Sequence, residues 1–314
     1  MTCSSDSKSR AMVGIAAGLA SGALWGLVFV APRMVDRFGM VDITAARFVV
    51  FGGVAALASA TRPRGSRWPS ARQAGVALGL SVLGFSGYFL LLAFSIDAIG
   101  SAVPSLVIGT IPVWMMLLGR PPGLRVATLL PGLALTAAGI ALMTAAAWPA
   151  DAAQGGGAAT GSMATGLLLA LLAMASWTVF GLLNARWLQR HPEVKATDWA
   201  NWLGLATGLG ALLLWLVAGS SWAQLESQPD GKLFVVVALA GGIGSSWLAT
   251  VLWNIASQRL SASLCGQLIV SETLFALLYA FLWDGRWPLA IEWAAALLFV
   301  AGVVVSISRL APRA

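Results

Sequence analysis

The sequence predicts an all-α integral membrane protein, with ten transmembrane helices set as two inverted five-helix repeats around a central cavity. Three observations carry that reading. Of 314 residues, 59% are hydrophobic and only 10% are charged, against about 25% charged in a soluble domain. The apolar residues fall into ten long runs, five on each side of a glycine- and alanine-rich linker. The basic residues gather in the turns on one side of those runs, the pattern of cytoplasmic loops.

A transmembrane helix needs about 20 mostly apolar residues. That places spans near 11–32, 42–60, 72–95, 98–118, 124–146, 163–185, 198–218, 232–256, 261–283 and 288–308. Lys8 and Arg10 before the first run resemble the start of a signal peptide. The run continues to Ala31, however, beyond a cleavable core of about 7 to 15 residues, so it reads as an uncleaved first span. Spans three and four almost touch at Ile96-Asp97. The linker, Trp148 to Ser162, holds no Lys or Arg, a single acid (Asp151) and the run Gly155-Gly156-Gly157, a composition that makes it flexible. The chain therefore divides into a first repeat over 1–147, an extracytoplasmic linker over 148–162 and a second repeat over 163–314.

Charge fixes the expected orientation. With the N-terminus inside, the cytoplasmic segments hold Lys8, Arg10, Arg62, Arg64, Arg67, Arg72, Arg120, Arg125, Arg186, Arg190, Lys195, Arg259, Arg309 and Arg313. The other side holds Arg33, Arg37, Lys232 and Arg286. Fourteen against four places both termini in the cytoplasm, in a multi-pass protein of the cell's inner membrane. Five spans per half then force the second half to enter the membrane upside down. Inverted repeats are a transporter architecture, with substrate bound near the midplane between them. Faint internal similarity agrees: Ala23-Leu24-Trp25 matches Ala175-Ser176-Trp177, and 101–112 matches 262–273. Glycines mark where helices meet. Gly14, Gly18, Gly22 and Gly26 make one face of span one, and Gly75 with Gly79, Gly204 with Gly208, and Gly241, Gly242 and Gly244 predict further close contacts.

Several chemistries drop out. The net charge of +7 sits in turns rather than in a nucleic-acid patch. Cys3 and Cys265, one in the tail and one in a span, do not suggest a disulfide. No His/Cys/carboxylate cluster has metal-ligand spacing, and no Gly-x-x-x-x-Gly-Lys loop offers a nucleotide site, so no cofactor is expected. Gly84-Phe85-Ser86-Gly87 fits the pattern of intramembrane serine proteases, with Ser86 as nucleophile. That chemistry needs a histidine beside the serine, and the single histidine, His191, falls in a loop after span six.

What remains points to carriage of a small molecule. Glu272 lies mid-span, where a charge costs about 2.5 to 3.5 kcal/mol. It reads as a proton-coupling or substrate-amine site, or as a hydrogen bond that ties helices. Arg47, early in span two, either snorkels or staples to Asp42, or binds a substrate carboxylate. Fifteen tryptophans divide by depth. Trp68, Trp148, Trp187, Trp199, Trp222, Trp283 and Trp287 fall near span ends as an interfacial belt would. Trp25, Trp114 and Trp177 lie deeper and, with Phe29, Tyr88, Trp253, Asn254 and Gln258, are candidates to line a substrate cavity. Asn254 and Gln258 share a face of span eight, and a buried amide needs partners from protein, water or ligand.

Ten spans in two halves, a Trp in spans one and six, Ala45-Ala46-Arg47-Phe48, Ser271-Glu272-Thr273, Glu292-Trp293 and Ala301-Gly302-Val303 resemble the drug/metabolite transporter superfamily, specifically its EamA-type exporters. The resemblance covers nearly the whole chain. Two positions depart from the family pattern, Glu272-Thr273 in place of Glu-Pro and Asp284-Gly285-Arg286 in place of Gly-Glu-Arg. Trp253-Asn254 and Tyr88 are similar to the bacterial aromatic amino acid exporters. That resemblance implies export of aromatic and other neutral amino acids. Cationic drugs or other metabolites in the same fold are the alternative, and a membrane-embedded enzyme a third reading. The expected partners are the lipid bilayer and a small-molecule substrate, without nucleic acid, and a monomer is consistent with the layout.

Overall fold

The computed structural model describes residues 2–61, 68–99, 102–147, 160–285 and 287–310, and every regular element among them is a helix. Most of the linker, 148–159, lies outside these residues, as do Arg62, Arg64, Arg67, Arg286 and Arg313 of the charge count. In chain order the helices are α1 (Thr2–Gly26), α2 (Ala31–Met34), α3 (Met40–Ala60), α4 (Ala71–Ser81), α5 (Gly87–Ile99), α6 (Ala102–Gly109), α7 (Ile111–Leu118) and α8 (Val126–Ala147). The second half adds α9 (Thr160–Arg190), α10 (Ala196–Ala218), α11 (Trp222–Glu226), α12 (Gly231–Ala240), α13 (Ala249–Arg259), α14 (Ala262–Asp284) and α15 (Ala290–Leu310). A π-helical stretch, Val82–Ser86, joins α4 to α5, and a longer one, Gly241–Leu248, joins α12 to α13.

Eight helices among the described residues are long and apolar enough to cross a membrane, and Val107–Leu118 and Val126–Leu142 are shorter apolar helices. The shortfall in the expected fourth span has a local cause. Thr110 is a turn residue between α6 and α7, and Pro112 sits in the first turn of α7, where its missing N–H costs no helix bond. Helix starts follow capping chemistry. Before α4, Ser70 Oγ accepts from the Gln73 N–H at 3.2 Å while Gln73 Oε1 accepts from the Ser70 N–H at 2.9 Å, a reciprocal box. α14 ends where Gly285 turns left-handed at φ 59°. Span one differs most from expectation. Its helix runs from Thr2, ends at Gly26 and gives way to a 3-10 turn over Leu27–Phe29.

The strongest packing runs between the two halves. α3 packs on α10, α1 on α13 and α14, and α5 on α9, while α8 pairs with α15. Glycine sets how close these pairs come. A Cβ on Gly52 of α3 would lie 2.8 Å from Gly208 Cα of α10, so only glycine allows that crossing. On α1, Gly14 meets Leu260, Gly18 meets Leu268, Gly22 meets Ser271, and Gly26 meets Phe275 and Ala276, as the four-residue spacing predicts. Gly75 and Gly79 depart from the expectation, because nothing lies within 4 Å of where their Cβ would be.

Candidate functional site

Span one and span six each present a tryptophan from the matching triplets, and the fold brings the two together. The Trp25 ring stands edge-on to Trp177 with centroids 6.1 Å apart. Trp253 of α13 lies 5.3 Å from Trp25 and 6.0 Å from Trp177, closing a three-indole cluster. Phe180 continues it at 5.8 Å from Trp177. Trp25 and Trp177 are half-buried, whereas Trp253 is buried and its Nε1–H has no partner among the described residues.

Two ionisable side chains and a phenol converge from both halves. Arg47 comes from α3, Tyr88 from the first turn of α5 just past the π-helical stretch, and Glu272 from the middle of α14. Arg47 lies within electrostatic reach of both Tyr88 and Glu272, and Tyr88 of Glu272. All three are half-buried, so the group is not sealed in packing. Gly241 makes room for the arginine, since a Cβ there would lie 3.2 Å from Arg47 Cδ. The guanidinium stands 4.6 Å over the Phe48 ring, and its Nε is buried without a partner. Glu272 is held against α1, its backbone N 3.0 Å from where a Gly22 Cβ would be. Gly22 is about one helical turn from Trp25. The polar group and the indole cluster are therefore neighbouring parts of one region.

Asp42 does not staple Arg47. Its carboxylate is buried and accepts from the Ser220 N–H at 2.8 Å and from Ser220 Oγ at 2.7 Å, tying the start of α3 to the end of α10. Arg47 is thereby left to face the interior.

Other expected cavity residues are engaged elsewhere. Asn254 is fully buried. It accepts from Asn184 Nδ2 at 3.1 Å and donates to the Ala196 carbonyl at 3.4 Å, while Asn184 Oδ1 accepts from Trp199 Nε1 at 2.7 Å. Gln258 Nε2 donates to the Val194 carbonyl at 2.8 Å. Both amides join α13 to the α9–α10 connection, so the face they share meets protein rather than a cavity. Phe29 and Trp114 are exposed, at 58% and 42%, and neither makes a ring contact with the indole cluster among the described residues. The interfacial belt is also smaller than expected. Trp68, Trp222, Trp283 and Trp287 are exposed, but Trp199 is fully buried and stacks on Trp187 at 3.7 Å. Trp148 lies outside the described residues.

The serine-protease pattern has a packing explanation. A Cβ on Gly84 would meet the Phe180 ring, and Ser86 abuts Gly210. His191 is stacked on Trp187, and its Nδ1–H donates to the Trp187 carbonyl at 2.9 Å. It has no role beside Ser86. No group of three or more His, Cys, Asp or Glu side chains could hold a metal among the described residues, and the Cys265 thiol is buried and free.

A helical bundle long and apolar enough to span a bilayer, with an arginine, a tyrosine and a glutamate gathered in its interior, defines a multi-pass membrane carrier. Known proteins place it further. The EamA-like transporter family matches this chain twice, over residues 12–145 and 164–308. The inner membrane protein YtfF of Escherichia coli (strain K12) is 31% identical over 313 residues, covering 94% of each chain. A crystal structure aligns with a TM-score of 0.70 over 95% of this chain and 97% of the other, at 24% identity, a likeness of fold alone. The chain belongs to the EamA-like transporter family, and it is a transporter of small molecules rather than an enzyme.

Proposed function

We propose that this protein is a secondary transporter of the inner membrane that exports amino acids by alternating access. The carrying observation is that Arg47 and Glu272, one from each half, lie within electrostatic reach of one another in the region of the Trp25–Trp177–Trp253 cluster. A guanidinium suits an α-carboxylate, with planar donors in a fixed fork, and a carboxylate suits an α-ammonium. Together they match a zwitterion, and site and substrate are each neutral overall. That neutrality matters in a bilayer, where an uncompensated charge is costly. The indoles pack on the side chain, which favours aromatic and other neutral amino acids. A bare cation is the weaker reading, because Arg47 stands opposite the carboxylate that would receive it.

The proposed architecture is ten spans in two inverted repeats, 1–147 and 163–314, joined by the linker over 148–162, with both termini cytoplasmic. Three features support it. The family matches each half once, π-helical stretches fall in the third span of each half, and Trp25 and Trp177 meet from matching positions. The test is counterflow of radiolabelled phenylalanine and threonine in proteoliposomes, with phenethylamine as a competitor that lacks the carboxylate. Both amino acids should exchange, and Arg47→Gln should weaken both about ten- to hundred-fold, the loss of one charged hydrogen bond. Competition by phenethylamine as strong as that of phenylalanine would remove the zwitterion reading.

A further inference from the structure

Where α4 begins and α9 ends, a cavity of about 480 Å³ opens between the two helices, lined by none of the residues of the indole cluster. Its polar rim is basic. Arg72 of α4 and Arg186 and Arg190 of α9 line it, and no carboxylate does. Residues 186 and 190 are four apart and so share one helix face. One wall is rigid, since Trp187 is sandwiched between His191 at 4.3 Å and Trp199 at 3.7 Å. Deeper in, the lining becomes apolar with Val76, Leu80 and Leu183, the last 42% exposed. One turn further along both helices, Gly84 and Phe180 are in contact, which closes the floor toward the bundle centre.

Three guanidiniums around one cavity repel one another unless an anion sits among them. Planar guanidinium forks hold carboxylate or phosphate oxygens in pairs, and at the end of a membrane span the anion at hand is a lipid phosphate. The pocket is basic at the end of the spans and apolar along them, which is the profile of a phospholipid entering headgroup last. Basic pockets between membrane helices are where anionic headgroups dock. We propose that this pocket binds the phosphate of an anionic membrane lipid on Arg72, Arg186 and Arg190, with Val76, Leu80 and Leu183 against the start of its acyl chain. Free phosphate shares the headgroup chemistry but leaves the apolar wall without a partner. A lipid here braces α4 of the first half against α9 of the second.

Native mass spectrometry of the full chain, delipidated in mild detergent, tests this with added phosphatidylglycerol, phosphatidylcholine of the same acyl chains, or inorganic phosphate. The expected result is retention of phosphatidylglycerol about 100-fold above phosphatidylcholine, a factor of about five for each of the three arginines. Arg186→Gln should lower it about fivefold, and Arg186→Gln with Arg190→Gln about 25-fold, since each surface cation contributes about a factor of five. Arg120→Gln with Arg125→Gln, in another turn, should change nothing. Thermal stabilisation by phosphatidylglycerol should vanish in the pocket double variant while its lipid-free melting temperature stays at the parent value. Equal losses in the control variant, or no preference between the two lipids, would overturn the proposal. Inorganic phosphate binding to the arginines without any lipid preference would assign the pocket to a free anion instead.

Discussion

Arg47 and Glu272 face the same problem, because each is a charge that the bilayer interior would reject alone. Their proximity across the two halves lets each lower the other's cost, and removing one leaves the other uncompensated. Arg47→Gln and Glu272→Gln should therefore each reduce the melting temperature in detergent. The double Arg47→Gln, Glu272→Gln variant should melt higher than either single one while amino acid counterflow stays at least as weak as in Arg47→Gln. Additive destabilisation in the double variant would mean that the two charges do not share a site. Asn254 calls for a different outcome. Its amide completes a chain from Trp199 through Asn184 to the Ala196 carbonyl, so Asn254→Ala should cost about 1 to 3 kcal/mol of stability. The ratio of phenylalanine to threonine counterflow per folded protein should not change. A selective loss of one substrate would return Asn254 to the cavity wall.

Helices in this protein are recognised by what they allow to approach. Gly52 and Gly53 are adjacent on α3, yet a Cβ at 52 would collide with Gly208 of α10 whereas one at 53 meets nothing within 4 Å. Gly52→Ala should destabilise by about 1 to 3 kcal/mol through overpacking. Gly53→Ala should be neutral or stabilise by up to about 1 kcal/mol from helix propensity, and equal melting shifts for the two would refute the crossing. This pair also shows what the sequence could and could not convey. Long apolar runs mark helices well, and the ladder from Gly14 to Gly26 correctly marks a contact face. Gly75 and Gly79 have the same spacing and face open space. In a membrane the outside of a helix is as apolar as its inside, so periodicity does not say which face meets protein. The candidate site suffered the same ambiguity. Trp25, Trp177 and Trp253 were legible as deep aromatics, and Arg47 and Glu272 as costly charges. That Asn254 and Gln258 turn toward the α9–α10 connection depends on helix rotation, which no local pattern encodes. The break at Thr110 and the two π-helical stretches were missed, although Pro112 and the glycines Gly84, Gly87, Gly241, Gly242 and Gly244 are the signals that mark such places.

The whole molecule is held together across its two halves more than within them. α3 finds its main partner in α10, α1 in α13 and α14, and α5 in α9. Polar bonds cross in the same way: buried Ser81 with Thr207 at 2.9 Å, buried Gln267 Nε2 to Thr136 Oγ1 at 3.0 Å, and part-buried Ser176 Oγ to the Leu83 carbonyl at 2.7 Å. A half on its own would leave these groups open in a medium that offers no water to replace them. It would also expose its glycine faces to lipid tails that cannot pack as closely as a helix does. We propose that the halves assemble through these contacts rather than through the chain that joins them. Residues 1–147 and 163–314 expressed as two separate chains should assemble in the membrane, co-purify through a tag on either one and retain phenylalanine counterflow. Each chain expressed alone should be degraded or aggregate. A first half that is stable and monodisperse without its partner would show that the interface between halves is dispensable. It would also break the link proposed here between the crossing of the halves and the site formed by Arg47 and Glu272.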